Sequence, residues 1–364
     1  MAFTVDQITE INNSSLQIFL DKPKVWAQNI QNKPMLDAFQ RRAGNFAGGG
    51  GADKKVSIGV KSGQSGGTLQ GFENDDQLSF YNPTPGKRVS YTWKEHHIGM
   101  KLDMTELKAN GINVTEDGSD QTTNDIDGAE EFRLANILDE KNDDLMEDYN
   151  KSLENLIHQD GTSDSKALAG LTSLILESPA TGSTGSLSRV ANSWWRNRAA
   201  TAAYAADGGT DKITSATTGG GVLIAFLDKE IRQLVRFSGG SENLKWFCGS
   251  DFIDAYKAEL RGNGYYSFTM SKDTGAPDGS MQDPRHNNMP FVYDPWMDDN
   301  SKSKFAYCID MSKNGVRLLY MNGNRMKKHN PARPYDRMVM YNGITTTALM
   351  VARRLNSSGV YEIN

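Results

Sequence analysis

Residues 127–157 read DGAEEFRLANILDEKNDDLMEDYNKSLENLI, and this stretch decides the fold. Its apolar residues recur at steps of three or four, the period of one helix face, and they are Phe132, Ala135, Leu138, Leu145, Tyr149, Leu153 and Leu156, with only Asn142 interrupting them. Asp127 and Glu130 form a capping box, and Gly161 supplies a stop. The pattern predicts a helix of about 30 residues, roughly 45 Å long at ~1.5 Å per residue.

The opposite face of this predicted helix is acidic. It carries ten acids, among them Glu154, against three bases. Several acids stand four residues apart, and such like-charge pairs cost an isolated helix ~0.2–0.5 kcal/mol each. We therefore expect a basic partner, a neighbouring copy of the same chain, to lie across this face. The acids predicted at that contact are Glu140, Asp143, Asp144, Glu147 and Asp148.

The composition favours modest cores joined by long loops. The chain has 364 residues, 35 of them glycine, and 37% are hydrophobic. The mean hydropathy is −0.58.

A net charge of −5 argues against a nucleic-acid binder that works through overall charge. Cys248 and Cys308 lie in apolar, strand-like runs and are predicted to be buried free thiols, which excludes a disulfide framework.

Neither a signal peptide nor a membrane span is expected. The first twenty residues include Asp6 and Glu10 and lack a basic start. No apolar run approaches the ~18 residues that a bilayer requires. The sequence therefore predicts a soluble protein made in the cytoplasm, with no membrane partner.

Residues 1–51 are predicted to form an arm, and residues 52–102 a long β-hairpin. Short amphipathic helices in the arm would be stopped by Pro23 and Pro34, and Gly48–Gly51 would act as a swivel. The hairpin would pair Lys55–Val60 with a return strand from Arg88 to Leu102, around a Gly-rich tip. Six bases against three acids make residues 54–94 basic. Because a two-stranded ribbon is only marginally stable alone, we expect it to pack on the body of the protein.

After the long helix, which falls within residues 103–167, the sequence predicts an α/β unit over residues 168–330. Its helices would span residues 219–237 and 252–260, and its strands 244–248, 265–269, 290–293, 304–310 and 315–321. Residues 331–364 would return as a sheet of three strands, with a hairpin turn at Asn342-Gly343 and a last strand from Val360. The long helix is the natural cover for that sheet.

No pattern of catalytic or metal-binding residues stands out, so no catalytic residue, cofactor or metal is expected. His96 and His97 would point to opposite faces of a strand, and His158, His286 and His329 are isolated in the sequence. The glycine runs lack the Gly-Lys-Ser/Thr ending of a phosphate loop.

The basic segment 325–333 could contact phosphate or form a plain surface loop. Trp194-Trp195 favours one ring in a core and one at an interface over a sugar-stacking platform.

The order of these parts resembles the major capsid protein of tailed bacteriophages, with its α+β, Hong Kong 97-like fold. Local segments similar to phage capsid proteins are GLTSLI (170–175), TGSLSRVANSWWRN (184–197), LKWFCGSDFIDAYKAEL (244–260) and TTTALMVARRL (345–355). The resemblance implies an extended loop at 52–102, a peripheral domain from 103–167 and 331–364 with the helix as its spine, and an axial domain at 168–330. It also implies hexamers and pentamers in an icosahedral head shell that encloses double-stranded DNA.

The same resemblance implies further partners, and other classes of function stay open beside it. Some relatives carry a scaffolding segment ahead of the arm, whereas this sequence begins almost at the arm, so a separate scaffolding protein is expected. A portal, non-specific contact with packaged DNA, and a cement protein are further candidates. An encapsulin-like nanocompartment shell, a tail or baseplate protein, and a hydrolase that uses helix carboxylates remain as alternatives.

We expect the basic loop of one subunit to lie on the acidic helix of the next. The loop residues predicted at this contact are Lys61, Leu69, Phe72, Leu78, Phe80, Lys87 and Arg88.

Overall fold

The computed structural model describes residues 31–46, 54–63, 67, 69–82, 86–112, 133–204, 212–213, 222–262, 284–329 and 339–364, and the backbone alone at 3–4, 114–115 and 128–132. The predicted swivel Gly48–Gly51, the predicted strand 265–269 and the predicted arm helices before residue 31 lie outside this part.

Helices and strands alternate along most of the chain. The helices are α1 (Pro34–Arg41), α2 (Met104–Ala109), α3 (Gly128–His158), α4 (Leu171–Leu174), α5 (Leu223–Ser238), α6 (Ser250–Gly262) and α7 (Pro295–Asp299), and a 3-10 turn spans Ser241–Asn243. The strands are β1 (Phe3–Thr4), β2 (Gly44–Phe46), β3 (Lys55–Val60), β4 (Lys87–Thr92), β5 (Lys94–Asp103), β6 (Val114–Thr115), β7 (Ser183–Thr184), β8 (Leu187–Ser188), β9 (Arg198–Ala200), β10 (Leu244–Cys248), β11 (Arg285–His286), β12 (Met289–Tyr293), β13 (Phe305–Asp310), β14 (Val316–Met321), β15 (Lys327–His329), β16 (Val339–Ala352) and β17 (Gly359–Glu362).

The long helix α3, hereafter the spine helix, is confirmed. Leu138 packs in one cluster with Leu102 of β5 and Met340 of β16. About two helical turns further along, Leu145 packs with Ile344 of β16. The apolar face of the helix therefore covers the sheet formed by β5 and β16; the sequence predicts this cover for the β16 part alone.

Two residues of the spine helix differ from the predicted pattern. Ala135 is exposed, because Leu134 takes the inward position one residue earlier. Glu154, counted with the acidic face, is buried. Asn142, the predicted polar interruption, lies within the buried face.

Strand β16 corrects the predicted hairpin turn at Asn342-Gly343. It is one continuous strand of 14 residues, and both residues pair inside it with β5. A Cβ at Gly343 would lie 2.6 Å from His97 Nε2 and 2.7 Å from the carbonyl oxygen of Ile98. The glycine thus permits close approach of two backbones. Ladder pairing along residues 339–348 outweighs the local turn signal, because each added pair contributes to the sheet.

Strand β16 is also the centre of a five-stranded sheet. It pairs antiparallel with β5 over residues 339–348, with β15 over 343–345 and with β14 over 348–352. Strand β2 adds to the far edge of β14 in parallel. The basic segment 325–333 therefore contributes edge strand β15 to this sheet in place of a plain surface loop, while its last residues lie outside the described part of the chain.

The predicted hairpin is confirmed in its stem and corrected in its return arm. Strands β3 and β4 pair antiparallel, and Val56, Val89 and Tyr91 bury their side chains in the main core. The return arm is divided at Trp93, whose ring is buried and whose backbone N–H donates to the Lys54 carbonyl oxygen. Because the chain changes sheets there, β5 pairs with β16 and not with the hairpin.

The carboxyl terminus corrects the predicted three-stranded return sheet. Strand β17 joins the second large sheet, of order β11-β12-β10-β13-β17-β9, by pairing antiparallel with β13 and parallel with β9. Buried Val360 and Tyr361 complete the two cores on either side of this sheet, which is what draws the strand away from β16. The assignment of residue ranges to arm, loop, peripheral and axial domains stays a prediction.

The α/β unit and the arm agree with the sequence in part. Helices α5 and α6 and strands β10, β12, β13 and β14 lie where they are predicted. Pro34, predicted to stop a helix, begins α1, because a proline at the first helical position lacks only an N–H that would be unpaired there. Met35 and Phe39 of that helix are buried in the main core.

Replacing Gly343 with alanine is predicted to cost about 1–3 kcal/mol of unfolding free energy, because the added Cβ collides with His97 and a backbone oxygen. Gly59→Ala is the matched control, since Gly59 also lies in a strand and its Cβ would meet nothing within 4 Å. Denaturant titration of the unassembled subunit measures both. Equal stability of the two variants would contradict the close-approach explanation.

Candidate assembly surfaces and a buried polar cluster

The tip of the hairpin exposes apolar side chains that the described residues do not cover. Leu69, Phe72, Leu78 and Phe80 are all exposed, Phe80 by 92%. The two arms of the tip approach each other where Gln70 Nε2 donates to Ser79 Oγ at 2.5 Å. Contiguous exposed apolar groups usually mark an interaction surface. These four residues are among those predicted from the sequence at an inter-subunit contact.

A short second hairpin, β7–β8, supports the base of this loop. The Ser90 N–H donates to the Gly185 carbonyl oxygen at 2.9 Å, and the Ser90 and Ser186 hydroxyls are also 2.9 Å apart. Lys87 Nζ donates to Asn192 Oδ1 at 2.6 Å. Lys87, predicted to face a neighbouring subunit, is therefore engaged within its own chain as well.

Arg189 organises the second hairpin from inside. Its guanidinium is fully buried and donates to Thr184 Oγ1 at 2.9 Å, Asn197 Oδ1 at 2.6 Å and the Leu174 carbonyl oxygen at 2.5 Å. Burial lowers the pKa of Arg189 to about 10, so the group is still a cation at neutral pH. A planar donor with three diverging acceptors holds three chain segments together under the loop.

A basic cleft of about 920 Å³ opens beside the loop base. Its lining includes five bases, which are Lys61, Arg196, Arg198, Arg353 and Arg354. No acid stands among the lining residues that the structure describes. Arg198 is held by Glu230, whose carboxylate accepts from Nε at 2.5 Å and from Nη2 at 2.7 Å. The cleft extends the positive charge predicted for Lys61 onto the body of the subunit.

The adjacent tryptophans line the same cleft. Trp195 is buried, and its indole N–H donates to the Thr184 carbonyl oxygen at 3.1 Å. Trp194 is only partly buried and meets Trp195 edge-on, with ring centroids 6.0 Å apart. This agrees with the predicted division into one core ring and one ring near the surface.

The predicted acidic face of the spine helix lies at the surface. Glu140, Asp144 and Asp148 are exposed, whereas Asp143 and Glu147 are half-buried. Burial, and then the neighbouring charges of Asp139 and Asp144, raise the pKa of Asp143 above its ordinary value. Like-charge repulsion of the kind expected from the sequence therefore acts on Asp143.

The loop bases and the helix acids do not meet within one chain. Among the described side chains, no ion pair joins Lys61, Lys87 or Arg88 to the five acids predicted at the contact. Lys141 of the helix instead pairs with Glu106 of α2 at 2.8 Å. The two charged surfaces are both left open to a partner.

Sequence reasoning missed a buried polar cluster at the end of the spine helix. His158 Nε2 lies 3.2 Å from Glu154 Oε1 and 3.2 Å from Asp294 Oδ2, so His158 is not isolated as the sequence suggested. Burial alone would lower the pKa of His158, but the two carboxylates outweigh it and raise that pKa. The spacing of Glu154 and His158 by four residues is a readable signal, since it places both on one helix face. Asp294 is too distant in sequence to be found that way.

The remaining histidines and cysteines follow the sequence interpretation more closely. His96 is half-buried and His97 exposed, as opposite faces of β5 require. His286 is likewise not isolated, because its Nε2 lies 3.0 Å from Asp228 Oδ1. Cys248 and Cys308 are buried free thiols, and burial raises the pKa of both. None of the helices in the described part of the chain has a long enough apolar stretch to cross a bilayer.

Replacing Arg189 with lysine is predicted to lower the unfolding free energy by about 3 kcal/mol, because one ammonium cannot reach three buried acceptors. The loop should also become more sensitive to limited proteolysis. Arg196→Lys is the control, since Arg196 is only half-buried and bonds to two backbone oxygens at the cleft. An Arg189→Lys subunit as stable as this control would refute the proposed role of Arg189.

Comparison with known proteins finds solved structures only, since no family model matches and no curated protein matches. The capsid asymmetric unit of cyanophage A-1(L) is similar over 94% of this chain and 96% of that chain, with a TM-score of 0.57 and 16% identity. The mature capsid of bacteriophage PhiM1 is similar over 94% of this chain and 90% of that chain, with a TM-score of 0.51 and 11% identity. The likeness extends over nearly the whole length of each chain. This protein therefore has the phage capsid fold that its sequence resembles.

Proposed function

We propose that this chain is the major capsid protein of a tailed bacteriophage, assembling as hexamers and pentamers into an icosahedral shell around double-stranded DNA. The observation that carries the proposal is a phage capsid fold with an apolar loop whose side chains stay exposed beside the described part of the chain. The role is structural and not enzymatic, and the protein belongs to the virion. A scaffolding protein, a portal, packaged DNA and a cement protein are the further proposed partners.

The proposed assembly contact places the loop of one subunit on the spine helix of its neighbour. The exposed bases Lys61 and Arg88 would face the exposed acids Glu140, Asp144 and Asp148. This pairing relieves the repulsion along the helix and brings the loop's apolar side chains onto the next subunit.

The energetics suit reversible assembly. An exposed ion pair contributes only ~0–1 kcal/mol, and full burial of one apolar side chain contributes ~1.5–3 kcal/mol. Each contact is therefore weak enough to break and reform. A closed shell repeats it many times, so the sum stabilises the complete particle.

Electron microscopy of the purified full-length chain tests the function directly. Closed shells are expected, either from the chain alone or with its scaffolding partner. Particles from infected cells should contain double-stranded DNA. Tubes, small monodisperse particles, or shells filled with a cargo protein and no DNA would contradict the proposal.

A charge swap tests the proposed contact. Lys61→Glu with Arg88→Glu should prevent shell formation, because glutamates then face acids, while the subunit stays folded. Lys87 is kept unchanged since it also bonds to Asn192. Asp144→Lys with Asp148→Lys should block assembly equally, and the four substitutions together should restore it.

Lys229→Glu and Lys304→Glu are matched controls for this swap, because both bases are exposed and lie outside the loop. Shell yield can be measured by sedimentation and subunit folding by circular dichroism. Normal shells from the loop variant, or no recovery in the fourfold variant, would rule out the pairing.

A further inference from the structure

Three titratable side chains that the assembly surfaces do not use meet at the end of the spine helix. Glu154 and His158 come from its last turns, and Asp294 comes from the junction between β12 and α7. All three side chains are at most 5% exposed. We propose that they are the protein ligands of one buried divalent metal ion of the Zn²⁺ type, which fastens the spine helix to the β12–α7 junction.

The distances fit a shared ion. His158 Nε2 is 3.2 Å from an oxygen of each carboxylate, and one ligand atom from each residue lies within 4.8 Å of the other two. Zinc bonds of about 2.0–2.1 Å at tetrahedral angles place neighbouring ligand atoms about 3.3 Å apart. A direct bond from a protonated imidazole to a carboxylate is normally shorter, about 2.7–2.9 Å. The two spacings that involve His158 are therefore those of neighbouring ligands around an ion.

The hydrogen bonds leave oxygens available for that ion. The Nε2 atom can carry one proton, and its hydrogen-bonding geometry is met toward Glu154 Oε1. Asp294 Oδ2, at the same distance, has no hydrogen-bond partner, and neither has Glu154 Oε2. Buried carboxylate oxygens without donors are rare, and a metal ion is one of the groups that explains them.

The charge of the cluster also calls for a cation. Two carboxylates and one imidazole leave a net negative charge in a buried site, −2 once the imidazole is neutral as a metal ligand must be, and no lysine or arginine among the described residues pairs with either carboxylate. A divalent ion balances that charge, and imidazole as a ligand favours zinc over Mg²⁺ or Ca²⁺. A water molecule can complete the four ligands.

Neighbouring groups hold the ligands in place. The His158 ring stacks on Trp296 with centroids 3.9 Å apart and planes 8° apart. The Trp296 indole N–H donates to Asn155 Oδ1 at 2.7 Å, which ties the stacked ring back to the spine helix. Asp294 Oδ1 accepts from the backbone N–H of Trp296 at 3.2 Å, so the other carboxylate oxygen of Asp294 is directed to the cluster. A hydrogen bond to the second oxygen of a carboxylate, like this one at Asp294, is typical of metal ligands.

Elemental analysis of the full-length protein, purified from zinc-supplemented cells without chelator, tests the proposal. About one zinc per chain is expected. His158→Gln and Asp294→Asn should each reduce zinc to background. His286→Gln is the matched control: that histidine is also buried, pairs with Asp228 and bonds to Tyr256, but has no second carboxylate described beside it. The His286→Gln protein should still contain about one zinc per chain.

Two measurements on the unmodified protein keep the test independent of variant folding. X-ray absorption at the zinc edge should show nitrogen and oxygen ligands without sulfur, which separates this cluster from Cys248 and Cys308. Removal of zinc should lower the Tm by several degrees, and added Zn²⁺ should restore it. Absence of zinc from the wild type, sulfur ligation, stronger binding of Mg²⁺ or Ca²⁺, or zinc retained in Asp294→Asn would each overturn the proposal.

Discussion

The packing of one face of the spine helix on strands β5 and β16 fixes the rest of the subunit. Leu138 and Leu145 on the helix meet Met340 and Ile344 on β16, so the helix axis and the longest strand are held together. The same sheet receives β5 directly from the base of the extended loop. The opposite helix face is left outside with its acids. One apolar contact thus determines where the loop begins and which charges the helix presents at the surface.

Polar groups in the interior set the direction of the loop. Arg189 joins three segments beneath the loop base through bonds to Thr184, Asn197 and Leu174. Hydrophobic packing has no direction, whereas a buried guanidinium must satisfy its donors in one plane, so it selects one arrangement of these segments. The loop tip itself has no such support, because its aromatic side chains are exposed. This division between a fixed base and an uncovered tip is what a subunit needs if neighbours are to complete it.

Much of this fold follows from local patterns, and the exceptions have a common cause. The spine helix was predictable because its period of three to four residues continues for about eight turns. Asn342-Gly343 was misread because glycine signals both turns and close backbone contacts, and only the partner strand distinguishes them. Trp93 separates β4 from β5 because β4 pairs with β3 in one sheet and β5 pairs with β16 in another. Local sequence does not contain that information.

The sites show the same limit. The exposed loop residues and helix acids could be identified from charge and apolar pattern, because surfaces are continuous along single elements. The grouping of Glu154 and His158 with Asp294 could not, since a strand junction 136 residues after His158 brings the third group. The basic cleft likewise combines Lys61 with Arg196 and Arg353 from distant parts of the chain. Sequence patterns locate surfaces well, whereas they locate clusters only when one element supplies every member.

In the proposed shell, the loop of one subunit is covered by the spine helix of another. A cryo-electron microscopy map of the assembled shell, at a resolution that shows side chains, tests it most directly. The account predicts that Phe72 and Phe80 are buried against a neighbouring subunit and that Arg88 lies within ion-pair distance of acids on that neighbour's spine helix. A shell in which the loop tips project into solvent, with the acidic helix faces uncovered, would contradict it.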